Sequence, residues 1–228
     1  LPRQNRGLFM HSINPDLWIL LAAMIIAVYT TFQRRGIERV IISMLLCFTF
    51  FVEAVGTYYA WHSWNNLLFI NCLSIVELAL YTSFFYVTSE PGLQRKSILF
   101  SGFFIAGICI TDIFFITGYK AFHTYSYALS AVWLIFVGLW KVKNFLQNEK
   151  NELLPLTKDF VFWVTVAILF FYTGSLSVVV VLNSLTNFSK EIVRNMHILL
   201  LNINSLYYLL LIIACLCPKR IPKSFFKQ

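Results

Sequence analysis

Seven apolar stretches, each close to the roughly 20 residues that a helix needs to cross a bilayer, take up most of this chain. They run over 16–32, 39–60, 67–87, 97–117, 121–140, 160–182 and 195–217. None shows the period-two alternation of a barrel strand, and all are too long to be one, which leaves a helical bundle as the architecture. Hydrophobic residues make up 59 % of the 228 residues and charged residues only 12 %. Soluble chains carry about a quarter charged residues, so this sequence cannot cover a water-facing surface. The expectation is an all-α polytopic membrane protein. An N-terminal segment over 1–15 precedes a seven-helix domain over 16–217, and a basic tail follows over 218–228. The longest polar gap, 141–159, is too short to hold a soluble enzyme domain or a nucleic-acid-binding module.

A net charge of +8 would suit a nucleic-acid partner in a soluble chain. Here its placement speaks to topology instead. Arg34, Arg35, Arg39, Arg95, Lys96, Lys141, Lys143, Lys150, Lys158, Lys219, Arg220, Lys223 and Lys227 fall on one side, 13 of the 18 Lys and Arg. Arg3, Arg6, Lys120, Lys190 and Arg194 fall on the other. The positive-inside rule then predicts an outside N-terminus and a cytoplasmic C-terminus, in a bacterial inner membrane. No cleavable leader is expected ahead of the first span. The five cysteines fall within or at the ends of spans, as small apolar packing residues rather than a disulfide framework. No internal repeat is visible, and every proline lies outside span interiors, which weighs against a rocking-bundle transporter.

The informative residues are the acids inside spans: Glu53, Glu77 and Asp112. An uncompensated acid near the bilayer centre costs about 2.5–3.5 kcal/mol, so such residues turn inward and are protonated, hydrogen-bonded or functional. Helical spacing gives them company. Asn71, Ser74, Glu77 and Tyr81 share an arc of roughly 120° on the third span, and Thr49, Glu53, Gly56 and Thr57 an arc of roughly 100° on the second. His123, Ser126, Tyr127 and Ser130 stripe the fifth span, and His197, Asn204, Ser205 and Tyr208 the seventh. The sixth contributes Tyr172, Thr173 and Ser175. With the N-terminus outside, Glu53 sits roughly 10 Å and Glu77 roughly 16 Å below the outer mouth. The expected ligand-binding set is therefore Glu53, Asn71, Glu77, Tyr81, Asp112, His123, Tyr172, His197 and Asn204, facing an outward polar pocket. Each also has a structural reading, as interface anchors for the histidines and interhelical hydrogen bonds for the rest.

Catalytic chemistries find little to work with. The seventh span has no lysine for a retinal Schiff base. There is no paired-histidine motif for an intramembrane zinc hydrolase, and Gly174-Ser175 lacks the context of a serine nucleophile. A metal site from Glu53, Glu77, His123 and His197 would need four helices to converge, which spacing alone does not require. The expectation is a non-enzyme with no assigned cofactor and no metal.

Glu53-Ala-Val-Gly56, then Asn71 to Glu77 with Tyr81 and Phe84-Phe85-Tyr86, resembles a group of seven-helix membrane proteins from Bacteroidota. Phe162-Trp163, Tyr172-Thr173-Gly174 and the Asn- and Leu-rich seventh span resemble the same group. Its members are similar to the seven-helix sensory regions of bacterial histidine kinases. The resemblance implies a receptor-like module that acts through a separate membrane or cytoplasmic protein partner. The runner-up expectation is an accessory or structural subunit of a larger membrane complex, and a small transporter comes third.

Overall fold

The structure, a computed structural model, describes residues 15–62, 64–118, 122–148, 156–184 and 190–218. The N-terminal segment up to residue 14, the tail from 219 on, and the cations Lys120 and Lys150 lie outside the described residues. Seven long helices follow one another: α1 Pro15–Arg34, α2 Ile37–Trp61, α3 Leu67–Thr88, α4 Leu93–Thr111, α5 Thr124–Asn148, α6 Phe160–Ser184 and α7 Lys190–Leu216. A π-helical turn, Asp112–Ile116, continues α4, and a short 3-10 turn, Leu156–Lys158, precedes α6. There is no strand among the described residues. All seven helices are long and apolar enough to cross a membrane.

Local chemistry sets the ends. Pro15 opens α1, where its missing N–H costs nothing, and Asp16 places an acid beside the positive end of the helix. Between α1 and α2 the chain turns at Arg35, whose φ of 30° lies in the left-handed region. Pro91 cannot continue α3, and Gly92 (φ 144°) takes the turn into α4. Asp159 starts α6 as a side-chain cap: its Oδ1 accepts from the N–H of Val161 at 2.7 Å and of Phe162 at 3.3 Å.

The helices run further than their apolar cores. Arg95 and Lys96 therefore sit inside α4, and Lys141 and Lys143 inside α5, just beyond the apolar stretches 97–117 and 121–140, while Arg39 lies in the first turn of α2. At the other boundary α5 begins at Thr124, so His123 stands just ahead of it. The cysteines also divide. Cys109, Cys215 and Cys217 are buried, whereas Cys47 and Cys72 face outward from the bundle.

The helices close into a ring. α1 packs on α2 and α7, α7 on α6, α6 on α5, and α2 on α3. α4 lies outside this ring against α3 and α5, which also meet each other directly. Leu20, Leu45, Leu78, Leu134, Ile168 and Leu211, one from each of the other six helices, are almost wholly buried in the core. α4 comes close to α3 because Gly102 has no side chain: a Cβ there would meet Thr82 Cγ2 at 2.4 Å.

At the end where α1, α3, α5 and α7 finish, the basic end, cations hold the carbonyls that a helix terminus leaves open. Arg39 is buried and donates to the carbonyls of Cys215 at 3.1 Å and Cys217 at 2.8 Å. Its guanidinium lies 4.4 Å from the Phe160 ring centroid. Arg34 donates to the carbonyls of Leu216, at 3.0 Å, and Cys217. Lys141 does the same for Thr88 at the end of α3. Residues that charge counting treats only as topology signals thus tie α1, α2 and α5 to the ends of α7 and α3.

Candidate functional site

The polar residues gather at and below the opposite end, in three groups. The first lines a cleft between α1, α2 and α7. Asp16, Leu17 and Leu20 come from α1, Glu53 and Thr57 from α2, and Leu201, Asn204 and Tyr208 from α7. Steps of three and four residues keep each set on one helix face. The cleft holds about 320 Å³ of empty space, part of it open to solvent. Asp16 is only 7 % exposed. One carboxylate oxygen, Oδ1, accepts from the Ser205 hydroxyl. The other, Oδ2, is buried and has no hydrogen-bond partner among the described residues. Glu53 is exposed and within electrostatic reach of Asp16. His197 is exposed on α7 and also within reach of Asp16.

The second group is interior. The Glu77 carboxyl of α3 lies beside the hydroxyls of Tyr172 of α6 and Thr49 of α2. One turn along α3, the Tyr81 hydroxyl pairs with the Tyr207 hydroxyl. The Tyr81 and Tyr172 rings meet edge to face at 5.8 Å, and Tyr127 lies 6.3 Å from Tyr172. Tyr127 also shares a 2.8 Å hydroxyl contact with Ser175. Tyr207 stacks at 4.9 Å on Phe171 and at 5.2 Å on Tyr208, which itself lines the cleft. Tyr208 is thus common to both groups, and Glu77 lies within electrostatic reach of Glu53.

The third group clasps α3 to the start of α5. Asn71 is fully buried, and its Oδ1 lies 2.7 Å from His123 Nδ1. Ser74 Oγ lies 2.8 Å from Nε2 of the same ring. Asp112, in the π-helical turn, accepts from Thr117 and Ser126 at 2.5 Å each. Cys109 lies 3.2 Å from Ser130 Oγ in the same seam.

Of the nine residues expected to bind a ligand, the structure brings Glu53 and Asn204 to the cleft and His197 near it. Glu77, Tyr81 and Tyr172 meet in the interior cluster behind it. Asn71, Asp112 and His123 join the α3–α5 clasp, each already engaged by neighbours. Among the described residues no group of three or more His, Cys, Asp or Glu is placed to hold a metal ion.

Asp16, Ser205 and Tyr207 complete these groups. Ser205 belongs to the α7 stripe, but Tyr207 and Asp16 do not announce themselves. An acid in a first helical turn reads as an ordinary partner of the helix dipole. The one available signal was that Asp16 opens a membrane span and no basic residue stands beside it.

No family model, curated protein or solved structure matches this chain. Its own architecture therefore defines its class: among the described residues, an all-helical bundle of seven helices long and apolar enough to cross a membrane.

Proposed function

We propose that the protein is a non-catalytic, receptor-like or sensory integral membrane protein of a bacterial inner membrane. The N-terminus is outside, the C-terminus is cytoplasmic, and the signal passes to a separate protein partner. One observation carries this reading. α7 is a single continuous helix that lines the acidic cleft with Leu201, Asn204 and Tyr208 and ends in the carbonyls held by Arg34 and Arg39. A ligand that pushes or pulls on α7 at the cleft has a rigid lever to the basic end, roughly 20 Å away at 1.5 Å per residue. The pool of cations at that end supplies the surface a cytoplasmic partner would read. The resemblance to seven-helix sensory regions points the same way.

The test needs no knowledge of the natural ligand. Leu201→Cys, in a background with Cys47 and Cys72 replaced by Ser, is modified in nanodiscs with a neutral benzyl methanethiosulfonate to fill the cleft. Amide hydrogen exchange is then followed in the last turn of α7. The receptor reading expects exchange there to change several-fold on modification. Unchanged exchange would contradict it. A static accessory or structural subunit is the second reading, favoured by α4 and the π-helical turn that continues it, which expose Phe100, Phe103, Phe104, Phe114 and Phe115 as a surface for another membrane helix. That reading expects the unchanged result.

A further inference from the structure

Asp16 and Glu53 face one cleft, and neither a Lys nor an Arg is among the described residues that line it. Acidity alone defines no site, but the state of Asp16 adds an independent fact. Its carboxyl is buried, Ser205 satisfies Oδ1, and Oδ2 has no partner among the described residues. Protonation does not remove the difficulty. An ionised Oδ2 is an acceptor without a donor, and a protonated one a donor without an acceptor. A buried polar atom left in that state costs about 1–3 kcal/mol, and more when it is charged. A donor that enters the cleft and carries positive charge removes that cost and balances Glu53 as well.

The rest of the lining says what kind of cation fits. Leu17, Leu20 and Leu201 present hydrocarbon, Tyr208 an aromatic ring, and Thr57 and Asn204 neutral polar groups. Among the described residues no three His, Cys, Asp or Glu gather to hold a metal ion, whereas an apolar wall beside two carboxylates suits a charged head on a short hydrocarbon body. An ammonium group has three N–H donors, enough to serve more than one carboxylate oxygen. The cleft is small and partly open to solvent, which keeps the ligand to a few carbons.

We infer that the α1–α2–α7 cleft binds a primary alkylammonium group, with the ammonium between Asp16 and Glu53 and its carbon chain against Leu17, Leu20 and Leu201. The inference rests on the receptor reading only for its consequence; binding itself can succeed or fail alone. The same headgroup chemistry occurs in free amines and in phosphatidylethanolamine, and the two sources are separable.

The full chain is reconstituted in nanodiscs of phosphatidylcholine and phosphatidylglycerol and titrated with n-butylammonium, and thermal stability is read at each concentration. A saturable rise in the unfolding temperature is expected, absent with n-butanol and with sodium at equal concentration. Glu53→Gln and Asp16→Asn, which keep side-chain volume and the Ser205 contact, should each weaken the apparent affinity at least tenfold. Two variants are used so that misfolding of one does not decide the matter. If nanodiscs with added phosphatidylethanolamine weaken the butylammonium response competitively, the lipid headgroup is the source; if not, a free amine is. No stabilisation, equal stabilisation by butanol or sodium, or a response that both variants leave intact overturns the inference. Binding without a change at the end of α7 would uphold it while removing the receptor reading.

Discussion

Arg39 donates to the carbonyl of Cys217 over 2.8 Å and so fastens the first turn of α2 to the last residues of α7. The guanidinium is buried, forks to Cys215 as well, and lies over Phe160 at the start of α6. Three helices thus depend on one side chain. Hydrogen bonds to a charged group contribute about 1.5–3 kcal/mol each, so Arg39→Met should lower stability by about 2–4 kcal/mol. Arg39→Lys should recover only part of that, because an ammonium lacks the planar fork. Denaturation midpoints of the three proteins in one detergent check both statements; a wild-type midpoint for Arg39→Met would refute the first.

Tyr81 and Tyr207 make their hydroxyl contact to each other inside the bundle. Each Tyr→Phe change should cost about 1–2 kcal/mol, since it leaves the other hydroxyl buried without that partner. The double variant should cost little more than either single one, a coupling of about 1 kcal/mol in a double-mutant cycle. Additive costs would show that the two hydroxyls do not depend on each other.

Gly102 marks the closest approach of α4 to α3, and a Cβ there would lie 2.4 Å from Thr82 Cγ2. Gly102→Ala should destabilise by about 1–3 kcal/mol through overpacking. Thr82→Ala removes both Oγ1 and Cγ2, so the double variant should recover most of the loss. Thermal unfolding of the single and double variants measures the rescue.

Asp159 lies outside the spans, buried at the head of α6. Burial raises its carboxyl pKa above the ordinary value of 3.8, against the opposing pull of the Phe162 and Val161 N–H groups and of Lys141 and Arg39. A raised value in the folded state means that folding holds the proton more tightly than the unfolded chain does. Asp159 therefore stabilises the fold fully below pH 3.8 and loses that contribution as pH rises through the folded value. Asp159→Asn keeps the capping oxygen and removes the titration. The stability of wild type relative to this variant should fall as pH is raised from 3 toward roughly 7; a difference that rises would reverse the assigned direction.

Much of this was legible in the sequence. Apolar length alone gives the seven helices, because a bilayer fixes the length of any helix that spans it. Helical periodicity gives Glu77 with Tyr81 on α3 and Asn204 with Tyr208 on α7, since residues on one face stay together whatever the neighbours do. Periodicity does not say which faces meet. Asn71 shares an arc with Glu77, yet turns to His123 because α3 touches both α2 and α5. Asp112 belongs to a π-helical turn, where the wider spacing carries its carboxyl to Thr117 and Ser126. Arg39 looks like one loop cation among many, and only the ring closure of α1, α2 and α7 buries it. Asp16 stayed hidden for the same reason: its meaning lies in Glu53 and Ser205, 37 and 189 positions away.

The central claim is that the Asp16–Glu53 cleft opens to the outside of the membrane. Thr57 lines it beside Glu53 and is the place to measure. Thr57→Cys, with Cys47 and Cys72 replaced by Ser, is treated in intact cells with a membrane-impermeant maleimide. The account predicts labelling in intact cells, slowed by n-butylammonium and not by n-butanol. Labelling that appears only after the membrane is permeabilised would contradict it, because the cleft would then face the cytoplasm.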